Sequence, residues 1–191
     1  RMLGRIDSLG RSFQAFGKTA SAAVTAPLAA VATIGVRAQM QLEDFTASLE
    51  VLTGSASEAA DMVRSLEEYA SATPFDDASL RAATRSLIAF GTETRDVIPT
   101  IQTLGEIAAG TETGIDDLAE SYGRVALTGR LSTDRALQFA RMGIPIFQEL
   151  AESMGVSVDE VQELISAGQV GLPQLQQVFQ RLTTDGGQFA G

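Results

Sequence analysis

The sequence predicts an all-α protein, in which an N-terminal arm of amphipathic and long helix precedes a compact array of short antiparallel helices. Apolar residues recur every three or four positions through most of the 191-residue chain, and this spacing places them on one face of a helix. Glycines end many of these patterns and prolines stand near their starts, as expected of helix boundaries. No stretch alternates polar and apolar residues long enough to predict a strand.

The charge of the chain changes sign along the sequence. Residues 1–42 carry five basic groups and one acidic group, a net charge of +4, whereas residues 43–191 carry nine basic and 23 acidic groups, a net charge of −14. A change of this size predicts a boundary between a basic arm and an acidic body. From the helix patterns we place the arm at residues 1–53, the compact body at residues 54–185 and a turn-rich linker at residues 186–191.

The first part of the arm contains two apolar segments. A helical pattern interrupted by Gly4 and Gly10 comprises Met2, Leu3, Ile6, Leu9, Phe13 and Phe16. Residues 19–36 then carry no charge, and their length is close to the roughly 20 residues that span a bilayer. Because the small residues that dominate this segment drive membrane insertion only weakly, we favour burial against copies of the same helix. Contact with the host membrane through residues 19–36 is the alternative.

A longer apolar stripe follows Pro27 and continues to Gly54. Its spacing of three and four residues, kept for more than three heptads, is typical of a coiled coil and equally of a long helix that packs on its own domain. In both cases the stripe buries a surface and forms no pocket. The candidate oligomer or partner stripe comprises Leu28, Val31, Ile34, Leu42, Phe45, Leu49 and Leu52.

Three helix-sized patterns in succession form the centre of the body. The first pattern has Leu80, Ala83, Leu87 and Ile88 and ends at Gly91; the second has Val97, Ile98, Ile101, Leu104 and Ala108 and ends at Gly110; the third has Ile115, Leu118, Ala119, Tyr122 and Val125 and ends at Gly129. Each glycine is expected to form a left-handed C-cap. The patterns predict three short amphipathic helices packed on one another.

Polar residues, prolines and glycines predict the boundaries of the remaining helices. Ser55 with Glu58 and Ser157 with Glu160 have the spacing of capping boxes. The prolines at or near predicted starts are Pro27, Pro74, Pro99, Pro145 and Pro173. The glycines at predicted ends are Gly54, Gly91, Gly110, Gly129, Gly143, Gly155 and Gly168.

Composition argues against an enzyme and against a metal or cofactor site. The chain has no cysteine and no histidine, which removes thiolate and histidine-based catalysis and the commonest metal ligand. Adjacent carboxylates remain at Glu67–Glu68, Asp76–Asp77 and Asp116–Asp117. Neighbours on a helix point about 100° apart, however, and an aspartate at a helix start usually serves the cap and the dipole. We therefore predict no catalytic, cofactor or metal-binding residue.

Residues 150–170 are similar to the helix-turn-helix of bacterial regulators, with an alanine in a first helix, a glycine in the turn and a second helix. DNA binding requires basic residues that contact phosphates. Residues 144–168 contain no basic residue, and their acidic residues are Glu149, Glu152, Asp159, Glu160 and Glu163. We therefore predict a structural helical hairpin and no sequence-specific binding of nucleic acid.

Short motifs follow one another in a set order across nearly the whole chain. They are VTAPL at 24–28, DFTASL at 44–49, TPF at 73–75, AFG at 89–91, LGEIAAG at 104–110, LAESYGRV at 118–125, GRL at 129–131, GIPIFQELA at 143–151, SAG at 166–168 and GGQFAG at 186–191. In this order and spacing they resemble the N-terminal domain of phage tail tape measure proteins.

The resemblance implies a non-catalytic structural protein of the phage tail. Such a protein templates polymerisation of the tail tube, sets tail length and aids genome ejection. The implied partners are tail tube, tail tip or baseplate and tail assembly chaperone proteins, and we expect a homo-oligomer formed through helices. The implied location is the lumen of the virion tail, after assembly in the bacterial host cytoplasm. The alternatives are a helical adaptor unrelated to phage and an acidic interaction module similar to a helix-turn-helix.

Overall fold

The computed structural model describes residues 39–184 and 186–190 of the chain. It divides the chain into two compact units, Arg1–Phe45 and Thr46–Gly191. Of the first unit the structure describes residues 39–45, which are helical. The described part of the second unit is helical too and has no strand, only an isolated antiparallel bridge between Arg130 and Gly171. The predicted all-α class is therefore confirmed.

Nine helices lie within the described residues, joined by short connections. They are α1 (residues 39–53), α2 (Ala56–Ala72), α3 (Asp77–Ala89), α4 (Thr94–Thr111), α5 (Ile115–Thr128), α6 (Thr133–Arg141), α7 (Ile146–Met154), α8 (Val158–Ser166) and α9 (Leu172–Thr183). In the second unit, α3, α4 and α5 all pack on one another, with α2 against α3 and α4. Helix α9 packs against both α4 and α7, and α6 contacts α5, α7 and α8.

The three predicted apolar stripes form the interior of α3, α4 and α5. All their members are buried except Ile88 and Ile98, which are half-buried. The buried residues of α3 also include Thr84, whose hydroxyl donates to the carbonyl of Leu80 at 2.8 Å. A buried hydroxyl with a hydrogen bond avoids the cost of an unpaired polar group. The prediction of three amphipathic helices packed on one another is confirmed.

Side-chain caps begin several of the helices where the sequence predicts them. The Ser55 hydroxyl accepts from the backbone N–H of Glu58 at 3.3 Å, and the Ser157 hydroxyl accepts from that of Glu160 at 3.2 Å. Each bond satisfies an N–H group that has no partner within the helix. At α3, Asp76 caps the helix in the same way.

One predicted helix end is wrong. Gly110 lies inside α4, which continues to Thr111 and ends on Glu112 in the left-handed conformation, with φ 55°. The other six glycines predicted at helix ends do have positive φ. Gly110 meets a different requirement, since a Cβ atom there would lie 2.4 Å from Cδ1 of Phe189. Close approach of a ring, rather than a turn, therefore calls for glycine at this position.

Pro99 lies deeper in its helix than the pattern predicts. It is the sixth residue of α4, which begins at Thr94. Proline has no N–H, so the carbonyl four residues earlier lacks its usual helical donor. Pro145 is the N-cap of α7 and Pro173 the second residue of α9, in line with the prediction. Pro27 lies outside the described residues.

Residues 186–190 pack against the end of α9 and against α4. The N–H of Phe189 donates to the carbonyl of Leu182 at 2.8 Å, and the Phe189 side chain is 8% exposed. Gly187 lies so close to the end of α9 that a Cβ atom there would be 2.3 Å from the carbonyl oxygen of Arg181. The segment is thus packed, and its role as a linker to further chain stays a prediction.

Candidate functional site

The candidate oligomer or partner stripe is described only in its second half. Leu28, Val31 and Ile34 lie outside the described residues. Along α1, Leu42 is half-buried, Phe45 and Leu49 are buried, and Leu52 is 46% exposed. Its neighbour Val51 is 84% exposed. The end of α1 therefore presents apolar surface to solvent, while contact with a partner or second copy through this stripe stays a prediction.

The segment similar to a helix-turn-helix forms helices α7 and α8, which pack on each other. Arg181 of α9 forms ion pairs with Glu149 at 3.6 Å and with Glu152 at 2.9 Å. These contacts tie α7 to α9. In the first turn of α8, Asp159 and Glu160 face the positive end of the helix dipole. Glu149, Glu152, Asp159 and Glu160 thus have local roles within the helical array, while the absence of sequence-specific nucleic-acid binding stays a prediction.

The adjacent aspartates stand at helix starts. Asp76 accepts from the N–H groups of Ala78 and Ser79 at 2.9 and 3.0 Å and from the Ser79 hydroxyl at 2.9 Å. The bonds from Ser79 lower the pKa of Asp76 below its ordinary value of 3.8, because they favour the charged form. Asp116 and Asp117 lie in the first turn of α5. Among the described residues, no group of three or more acidic side chains could hold a metal ion.

A small cavity of about 260 Å³ is lined by residues of α4, α5 and α9. Its lining includes Asp96, Thr100 and the hydroxyl end of Tyr122, which accepts from the side-chain amide of Gln176 at 3.0 Å. Burial raises the pKa of Tyr122, since a phenolate would lose solvation there. The phenol therefore stays neutral and acts as a hydrogen-bonding link between α5 and α9.

A larger groove of about 440 Å³ lies where α5 ends, α6 begins and α8 ends. Its lining includes the side chains of Arg124, Arg130 and Arg135, together with Phe90 and Leu127. We call it the arginine groove. The sequence analysis missed it, because these arginines belong to separate elements and form no local run. Three arginines within residues 124–135 were the available signal for a basic site. The net negative charge of the body gave no reason to expect such a site there.

No helix within the described part of the chain is long and apolar enough to cross a membrane. The uncharged segment at residues 19–36, for which membrane contact was the alternative interpretation, lies outside that part.

Comparison with known protein families gives a match over most of the chain. A family model described as tape measure protein matches residues 33–191. No curated protein and no solved structure matches the chain. The matched range contains the whole described structure, so the nine helices, the cavity between α4 and α9 and the arginine groove all lie within it.

Proposed function

The chain belongs to the tape measure protein family and has a structural role in a phage tail, and from this premise we propose that its body is a folded docking module of the tail-length ruler. In this proposal the complete polypeptide templates polymerisation of the tail tube and thereby sets tail length. The body would contribute contacts with tail tube, tail tip or chaperone proteins. The proposed location is the tail lumen, after assembly in the host cytoplasm.

The observation that carries the proposal is the compactness of the described second unit. A ruler converts residues into length, at about 1.5 Å per residue in a helix. The longest helix with both ends described is α4, which has 18 residues and spans about 27 Å. Between residues 56 and 183 the chain reverses repeatedly through eight helices that bury one another's apolar stripes. A segment folded in this way adds surface for docking and little length.

Deletion and unfolding of the body test the two roles separately. Deleting residues 55–184 in frame from the phage gene removes a length of about 200 Å if the segment acts as a helical ruler. We expect instead that the yield of tails collapses, because docking contacts are lost. The measurement is the number and length of tails in electron micrographs of lysates.

A matched variant keeps the number of residues and destroys the fold. Leu87 and Leu118 are both fully buried, so Leu87→Asp with Leu118→Asp places two unpaired charges in the interior. If the body is a docking module, this variant should lose tails to the same extent as the deletion. Normal yield from this variant, together with proportionately shorter tails from the deletion, would show that the segment is only ruler.

Genome ejection is a further role that we propose for the complete protein. Its support is the uncharged segment at residues 19–36, whose length approaches that of a bilayer-spanning helix. Flotation of the chain with liposomes, with and without this segment, tests it. Equal flotation of the two proteins would show that this part of the chain makes no contact with the membrane.

The chain belongs to the tape measure protein family, and this excludes the alternative of a helical adaptor unrelated to phage.

A further inference from the structure

The arginine groove is built from parts of the second unit that are distant in sequence. A Cβ atom on Gly123 would lie 2.3 Å from Cδ2 of Phe90, so the glycine lets the Phe90 ring lie directly on α5. The guanidinium carbon of Arg124 stands 5.8 Å from the centre of this ring, within the range of a cation–π contact. One wall of the groove is therefore the Phe90 ring with the Arg124 guanidinium group over its face.

Backbone contacts hold the next arginine in place. Arg130 forms the isolated bridge with Gly171, and the N–H of Leu131 donates to the carbonyl of Val170 at 2.9 Å. The guanidinium lies beside the end of α8, since a Cβ atom on Gly168 would be 3.3 Å from its Nη1. The negative end of a helix dipole favours a cation there. Arg130 is thus positioned before any partner arrives.

Within the part of the chain that the structure describes, two of the three arginines form no ion pair with a carboxylate. Arg124 pairs with Glu120, but Arg130 has no ion pair within the described residues, and Arg135 binds the side-chain oxygen of Gln138. Elsewhere in this acidic body, Arg64, Arg81, Arg95 and Arg181 pair with carboxylates, whereas Arg141 forms no ion pair within the described residues. None of the described residues that line the groove is acidic. The groove therefore concentrates positive charge that the rest of the described surface does not neutralise.

The groove also exposes apolar surface between these cations. Leu127 of α5 is 64% exposed, although half of the residues of its helix are buried. Leu131 and Ile165 line the floor and are themselves buried. A partner that fills the groove must offer an apolar side chain to Leu127 and negative groups to Arg130 and Arg135. The volume of about 440 Å³ accommodates a few side chains, in the range typical of binding pockets.

We propose that the arginine groove docks an acidic amphipathic peptide segment of another tail protein, with carboxylates on Arg130 and Arg135 and an apolar side chain on Leu127. The inference deepens the proposed docking role of the body and rests on it. Arginine suits this task because its planar guanidinium binds a carboxylate through two parallel hydrogen bonds. Residues 43–191 carry a net charge of −14, so the arginine groove is a local site of attraction for carboxylates on an otherwise acidic body.

Peptide binding to the full chain tests the proposal in solution. The probe is a short fluorescein-labelled peptide in which leucine and glutamate repeat at helical spacing, with matched peptides that carry glutamine or lysine in place of glutamate. We expect the glutamate peptide alone to bind, measured by fluorescence anisotropy, and its affinity to fall as salt is raised because the charges are exposed. Equal binding of the glutamine peptide would overturn the role of the carboxylates.

Arginine variants identify the site on the protein. Arg130→Gln with Arg135→Gln should weaken binding of the glutamate peptide by roughly tenfold, the effect of two exposed charge pairs. The control is Arg64→Gln with Arg141→Gln, which removes the same charge outside the groove. An equal loss in both proteins would mean that net charge alone attracts the peptide, and would overturn the site. Circular dichroism confirms that both proteins are folded.

Leucine variants test the apolar half of the groove. Leu127→Ser should also weaken binding of the glutamate peptide, whereas Leu137→Ser, at a residue that is 41% exposed on α6, should not.

Competition with a short DNA duplex tests whether the groove recognises carboxylates or phosphates. Displacement of the peptide by the duplex, or self-association of the chain through the groove, would overturn the proposal.

Tail assembly distinguishes failure of this inference from failure of the proposed function. We expect Arg130→Gln with Arg135→Gln to lower tail yield in the phage. Normal yield from that variant, together with loss of tails from the unfolded body, would overturn the groove and keep the docking module. Conversely, groove-dependent peptide binding with normal tails from the unfolded body would keep the groove and overturn the docking module.

Discussion

Gly110 lies near the C-terminal end of α4, where its missing side chain makes room for the Phe189 ring. Alanine is favoured over glycine inside a helix by about 1 kcal/mol. Here the added methyl group would displace a ring that is 8% exposed. Overpacking of this kind costs about 1–3 kcal/mol. The packing cost therefore exceeds the gain in helix propensity, and the sign of the substitution depends on Phe189.

We predict that Gly110→Ala lowers the free energy of unfolding by about 1 kcal/mol in the natural background. In a Phe189→Ala background the clash is absent, so the same substitution should raise it by up to about 1 kcal/mol. Urea denaturation followed by circular dichroism measures both differences. An equal effect of Gly110→Ala in the two backgrounds would show that residues 186–190 do not pack on α4 in solution.

Helix α1 shows how one apolar stripe is divided between interior and surface. Leu49 is fully buried, whereas Leu52, one turn later on the same stripe, is 46% exposed. Apolar periodicity is identical at both positions, so the pattern alone assigns them the same environment. Burial decides their energetic contribution, because only a buried side chain leaves a cavity when it is truncated.

We predict that Leu49→Ala lowers the free energy of unfolding by about 2–5 kcal/mol, the range for a buried leucine. Leu52→Ala on the same helix is the matched control and should cost less than about 1 kcal/mol, because much of its side chain is already in solvent. Thermal unfolding of both variants measures the difference. If the two costs are equal, Leu52 is covered in solution, as the oligomer interpretation of the stripe requires.

At the scale of the whole molecule, excess negative charge opposes the compact state. The chain has 24 acidic and 14 basic residues, a net charge of −10. Most of the described ion pairs join exposed side chains, although Arg81 and Glu149 are only 18% exposed, and exposed pairs contribute about 0–1 kcal/mol each. Unpaired carboxylates outnumber these pairs, and their mutual repulsion destabilises a folded protein. Salt should therefore weaken the repulsion among carboxylates more than it weakens the attraction within the ion pairs.

We predict that the unfolding temperature at pH 7 rises when NaCl is increased from about 0.01 M to about 1 M, as the Debye length falls from about 30 Å to about 3 Å. Near the isoelectric point of about 4.4 the net charge vanishes, and the salt response should vanish with it. Circular dichroism at several salt concentrations measures both. A fall of the unfolding temperature with salt at pH 7 would mean that the ion pairs outweigh the repulsion.

Much of the helical array could be predicted from the sequence, because its signals act over a few residues. The stripe of Leu118, Tyr122 and Val125 requires only helical spacing, and Ser55 and Ser157 cap N–H groups three positions away. The same locality explains why most of the predicted glycine C-caps have positive φ. Local signals thus determined the all-α class and most helix boundaries.

Tertiary structure decided the features that depend on residues distant along the chain. Gly110 is a packing site because Phe189 returns to it, and Leu52 differs from Leu49 only through what covers each side chain. The arginine groove exists because Gly123 admits Phe90 and because Gly171 holds Arg130 beside the end of α8. Close approach and charge clustering depend on three-dimensional distance, which a linear pattern does not contain, whereas helix periodicity and caps arise within one or two turns.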